Sequence, residues 1–219
     1  MSIKLKALGL GLLAAMAMTA VGVLNASASI TGHFTHTATG GHGLVVGTES
    51  GTHRVKFSVD GGTPIECEEA SYHGTVSAAT VTAVRVTPTY GKCKTEGGAA
   101  GSVVVDTNEC HFVFHSNTKA SGSNPTGHAT VTVECTSKGP IVVTHPNCEI
   151  TIPSQSLSGV TYTPNGSEIT LDSTVGGITS HYHGGICVFL GTTHTGTMTG
   201  SATVKGTNTD GSAASISAT

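Results

Sequence analysis

His181-Tyr182-His183 is the segment of this 219-residue chain whose residue types and spacing come nearest to chemistry. On a β-strand alternate side chains share a face, so the two imidazoles would stand about 6–7 Å apart, a spacing that chelates zinc or copper if a neighbouring strand brings a third ligand. The competing reading is two histidines on a solvated face beside a core Tyr182. His33, His36 and His42 offer further imidazoles, but the glycines between them suggest a mobile segment. His111 and His115 would share a strand face about 13 Å apart, too far to hold a metal unaided. The expectation is at most a weak divalent site, on His181 and His183, and no cofactor.

Hydrolysis would require a nucleophile with a base and an orienting acid, or two carboxylates in a cleft. There is no Gly-x-Ser-x-Gly and no His-Glu-x-x-His, and the sparse carboxylates mostly stand singly along strands or in turns. No catalytic residues are assigned, and an extracellular hydrolase ranks third among the functional readings. Sugar-binding faces usually offer aromatic platforms. Trp is absent, and Tyr72, Tyr90, Tyr162 and Tyr182 are scattered where core or turn anchors are expected. Asn165-Gly166-Ser167, which matches a glycosylation acceptor, reads as a turn.

The six cysteines are Cys67, Cys93, Cys110, Cys135, Cys148 and Cys187. Zinc ligation would favour Cys-x-x-Cys pairs, whereas every spacing here is thirteen residues or more. An even count in an exported chain reads as disulfides. The neighbours select a pairing. Opposing Cys67 to Cys93 on antiparallel strands sets Glu66 against Lys94 and Glu68 against Lys92, which is favourable across a ladder. Opposing Cys110 to Cys135 sets His111 against Glu134 and Phe112 against Val133. Cys148 with Cys187 follows by elimination.

Export is expected from the first residues. MSIKLK carries two lysines and runs into an uncharged apolar stretch that stops at Asn25, followed by Ala26-Ser27-Ala28. This pattern predicts a signal peptide over residues 1–28 and a mature chain over 29–219, secreted or associated with the cell surface, with no membrane span once the signal is cut. The mature portion holds 8 basic and 13 acidic side chains, a net charge of −5, which is no footprint for nucleic acid.

The positioning elements are strands. Val55, Phe57 and Val59 alternate with polar residues before a turn at Asp60-Gly61-Gly62, and the same period of two recurs in CHFVF, ATVTVEC and CEITIP. TVTAVRVTP, SVVVD, PIVVTH, SEITLDS, GICVFL and TGTMTGSATVKG are further candidates, with a weaker one at HFTHTAT. Prolines 64, 88, 125, 140, 146, 153 and 164 fall at the edges of these runs or between them. The reading is all-β: an antiparallel β-sandwich of about ten to twelve short strands, with two packed β subdomains divided near residue 107 as the alternative.

The order PIEC, VTPTYGKC, NECHFVF, VTVEC, CEITIPSQ, GVTY, a late cysteine and TGTMTGSATVKGTNTDG resembles an uncharacterised family of exported, cysteine-paired β-proteins from soil actinobacteria. The resemblance spans roughly residues 55 to 212. It implies a common fold and carries over no activity or catalytic residues, and this chain departs from it mainly in its histidines.

The functional expectation is a non-enzymatic structural, adhesive or interaction module with an extracellular or surface partner. A histidine-dependent metal- or pH-responsive binding protein is the alternative. Twelve histidines against 8 mature lysines and arginines mean that full imidazole protonation would carry the net charge from −5 to about +7.

Overall fold

A computed structural model describes residues 32–49, 53–59, 63–118, 126–146, 148–184 and 193–218. Residues 1–31, the turn expected at Asp60-Gly61-Gly62, and GICVFL with Cys187 lie outside the described residues. Within them the chain is antiparallel β throughout, with one 3-10 turn at Thr39–Gly41 and no α-helix.

Eight strands close into a ring: β2 (Gly43–Glu49), β5 (Glu69–Val76), β7 (Ala83–Gly91), β10 (His111–Thr118), β11 (Gly127–Glu134), β14 (Gln155–Asn165), β15 (Glu168–His183) and β16 (Thr193–Thr207). Neighbours pair in that order, and β16 returns to β2 through Ala202↔Glu49 to Thr207↔Leu44. The local cause is alternation. In β11, Gly127, Ala129, Val131 and Val133 are buried while His128, Thr130, Thr132 and Glu134 face outward.

The expected sandwich is therefore a closed barrel with extra strands. Alternation identifies the buried face of each strand, but it reads the same whether a sheet packs on a second sheet or curls onto itself. The long β15–β16 hairpin accounts for the closure. One half of β15 pairs with β14 and the other with β13 (Cys148–Ile152), while β16 pairs first with β3 (Val55–Val59) and then with β2. A register shift between Gly176 and Ile178, with Gly177 at φ +75°, supplies a bend between the halves of β15.

Beyond the ring, β3 continues to β4 (Ile65–Cys67) and β8 (Lys94–Thr95), and β13 continues to β12 (Ile141–His145) and β9 (Val104–Asp106). These side strands are joined by a bridge between Cys93 and Val103. The opposite end is capped by β1 (Phe34–His36), held between β18 (Ile216–Ala218) and β6 (Thr80–Val81), while the short β17 (Ala213–Ala214) lies on β16. The N-terminal segment expected to be mobile is thus a paired strand. His36 is buried there, its Nδ1 accepting the Ala38 N–H at 3.0 Å.

Strands on the two sides of residue 107 pair directly, β7 with β10, and one hydrophobic cluster runs through ring and side strands. The eighteen strands among the described residues exceed the ten to twelve expected. The expectation passed over β2, β5 and most of β14, for local reasons. Gly47 and Gly74 occupy core-facing positions in β2 and β5, and Gly159 at φ +100° breaks the period within β14. Pro88 lies inside β7 and not at its edge. Only β5 pairs with that stretch, because β10 leaves β7 at Val86, so no ladder bond is lost on the open side. The turn expected at Asn165-Gly166-Ser167 is the β14–β15 hairpin, with Gly166 at φ +66°.

Candidate functional site

Two of the expected disulfides are present, Cys67–Cys93 and Cys110–Cys135. Cys148 is also disulfide-bonded, and its expected partner Cys187 lies outside the described residues. The registers match the reading from neighbouring residues, with Glu66 opposite Lys94, His111 opposite Glu134 and Phe112 opposite Val133.

The side-chain partners differ from those registers. Glu66 is held by Arg54 at 2.8 Å and Lys56 at 3.0 Å, Lys94 reaches diagonally to Glu68 at 2.7 Å, and Lys92 takes Glu69 at 2.5 Å. Lys92 has φ +51°, which interrupts the ladder at the position where it would have faced Glu68. Lys56 of β3, which lies against β4, and Arg54 just before that strand are cations that a two-strand picture omitted.

These contacts predict a pH response. The Arg54 and Lys56 hydrogen bonds hold the Glu66 carboxyl below the usual carboxylate range, and Lys94 does the same for Glu68. Folded values lowered in this way contribute stability above the unfolded carboxylate range near pH 4, which is lost as pH falls through the folded values. Burial raises Glu49, which contributes in the opposite sense, so its stabilisation fades as pH rises through its folded value. Both side chains keep part of their surface in solvent, which screens these contacts, so Glu66→Gln with Glu68→Gln should change stability only slightly at pH 7 and flatten the acid limb of a melting-temperature profile. An unchanged acid limb would refute the assignment.

His181 and His183 share a face of β15, as expected, with Tyr182 buried between them against His194 at a ring separation of 4.7 Å. Each imidazole is engaged by a hydroxyl. His181 Nδ1 shares a hydrogen bond with Thr193 Oγ1 at 3.2 Å, and His183 Nε2 with Thr151 Oγ1 at 3.1 Å. Among the described residues no group of three or more His, Cys, Asp or Glu side chains is arranged to hold a metal. With each imidazole engaged by a threonine hydroxyl, zinc added to the protein should bind weakly and be removed by dialysis against a mild chelator. Stoichiometric retention would overturn that expectation.

Elsewhere the barrel's outer face sets His73, Thr87, His111 and Glu134 in a row across β5, β7, β10 and β11. The expected His111–Glu134 contact is replaced. Thr87 Oγ1 bonds His111 Nδ1 at 3.0 Å, and Arg85 donates to Glu134 from β7. Of the four tyrosines, Tyr162 and Tyr182 are core anchors, whereas Tyr72 and Tyr90 meet edge-on at 6.3 Å where the interior approaches the surface. Their pairing was not legible because it depends on β5 and β7 being neighbours.

Fold and staples together define a disulfide-linked, closed antiparallel β-barrel with a polar exterior. Comparison with protein-family models, with characterised proteins and with solved structures finds no match.

Proposed function

We propose that this chain is exported and acts outside the cell, or on its surface, as a non-enzymatic interaction module that meets its partner through the outer face of the barrel. The observation that carries this reading is the placement of the histidines: of twelve, only His36 is buried, while the others are exposed or half-buried. An interface built from them becomes cationic as pH falls. Disulfides are characteristic of oxidising compartments, and the Lys-led apolar N-terminus ending in Ala26-Ser27-Ala28 and the resemblance to exported actinobacterial proteins point the same way.

The exterior fits an aqueous setting. No helix among the described residues is long and apolar enough to cross a membrane, and Val104, 61% exposed, is their single exposed large hydrophobic residue. A membrane barrel would present an apolar band at that surface.

The partner class follows from charge. Imidazoles titrate near pH 6.5, so the mature chain should pass from net −5 toward about +7 and bind an anionic envelope or mineral surface more strongly at pH 5.5 than at 7.5. Added salt should weaken the binding by screening. Electrophoretic mobility across this range tests the charge reversal, which a protein still plainly anionic at pH 5.5 would exclude. Retention on anionic beads that ignored both pH and salt would exclude its use.

A further inference from the structure

The interior of the barrel is incompletely filled. An apolar cavity of about 130 Å³ lies inside it, lined by Val86, Phe112, Val133 and Met198 of the ring, by Phe57 and Ile141 of the side strands and, toward the capped end, by Phe34 and Ile216. A buried water needs two to four polar partners, and the side chains of the lining offer few: the hydroxyls of Ser173, Thr199 and Ser201 on β15 and β16, and those of Tyr72 and Tyr90 at its margin. Apolar cavities of about 150 Å³ stay dry and accept benzene.

The cavity also has an approach. Tyr72, Tyr90, Leu171 and Met198 line it, yet each is only half-buried, which places them where the interior reaches solvent. Tyr72 and Tyr90 meet edge-on there, and burial pushes Tyr72 up to about 12 and Tyr90 well above its ordinary value, so both stay neutral at physiological pH. On the outer side Tyr90 shares an open cleft with Glu49, Glu68 and Glu69. Glu49 is half-buried and accepts the Val55 N–H at 3.2 Å. An anionic guest would meet these carboxylates at the rim and an apolar wall inside.

We propose that this cavity binds one small, uncharged, apolar molecule of about six to eight non-hydrogen atoms, a simple aromatic or short branched hydrocarbon, admitted past Tyr72 and Tyr90. The proposal is independent of the outer-face interaction. Toluene and hexanoate serve as probes of the full, disulfide-intact chain.

Toluene should bind saturably, raise the melting temperature with concentration and shift the methyl resonances of Val133 and Ile141. Hexanoate should bind roughly ten-fold more weakly or worse, and Leu171→Phe and Met198→Phe, which fill the cavity from its half-buried side, should each weaken toluene by about ten-fold while unfolding stays cooperative. If one variant fails to fold, the other and the wild-type resonance shifts still decide. Absence of saturable toluene binding overturns the site. So do resonance shifts confined to surface residues, or affinity unchanged in the folded variants. Hexanoate binding as tightly as toluene overturns the choice of an uncharged guest.

Discussion

Full reduction should lower the melting temperature by roughly 15–25 °C through the loss of Cys67–Cys93 and Cys110–Cys135 alone. The two bridges span 26 and 25 residues and enclose separate stretches of chain. Loops of that length restrict the unfolded ensemble by about 3.5 kcal/mol each in the chain-entropy picture. Because the loops do not overlap, the contributions should add to about 7 kcal/mol, a large fraction of the 5–15 kcal/mol typical of whole domains. Both bridges lie at the end of the barrel where the side strands join. Cys93 ties β4 to the stretch bridged with Val103, and Cys110–Cys135 closes the free end of the β10–β11 hairpin. Cys67→Ala with Cys93→Ala should therefore cost about half of the combined effect, and native protein should show no titratable thiol among the described cysteines. Calorimetry of the native, reduced and paired-alanine proteins checks the series. A fully reduced protein that melts within a few degrees of the native one would refute the account.

Substituting Gly127 by valine should destabilise the protein by about 3 kcal/mol or more. Gly127 lies opposite Tyr162 in the β11–β14 ladder, and the tyrosine ring leans over it so closely that a Cβ would stand 2.2 Å from the ring carbon Cζ. The ring has nowhere to retreat. Tyr162 is fully buried, packs on Phe34 at 5.7 Å, receives a hydrogen bond from Ser116 Oγ at 2.7 Å and donates its own proton to the Thr118 carbonyl. Tyr162→Phe should cost about 1–3 kcal/mol by stranding Ser116 and the carbonyl, and Tyr162→Ala about 3–5 kcal/mol or more by adding a cavity. The contact should also appear as coupling, with Gly127→Ala costing much less in a Tyr162→Leu background than alone. Urea unfolding with an unchanged denaturant slope measures each value. Gly127→Val within 1 kcal/mol of wild type would show that the β11–β14 pairing is not as described.

The pairing of the first four cysteines was legible because its evidence is local. Glu66 and Lys94, and Phe112 and Val133, flank the cysteines by one or two residues, and a ladder turns that proximity in sequence into proximity in space. The partners of those charges were not legible, since Arg54, Lys56 and Arg85 arrive on or just before third strands whose adjacency no local feature announces. The histidine face behaved similarly. His181 and His183 share a side of β15 because the strand repeat is two, whereas the hydroxyls of Thr193 and Thr151 that engage them come from strands on either side.

By itself, then, the sequence determined what depends on near neighbours: the all-β character, the buried face of strands such as β11, the hairpin turn at Gly166, and the registers around four cysteines. Only the tertiary structure decided closure. Sandwich and barrel bury the same alternate residues, and the choice rests on β15 and β16 being long enough to change partners along their length and on β16 returning to β2, about 150 residues earlier in the chain. The cavity and its tyrosine rim exist only once that closure is made, because they lie between strands that no stretch of sequence brings together.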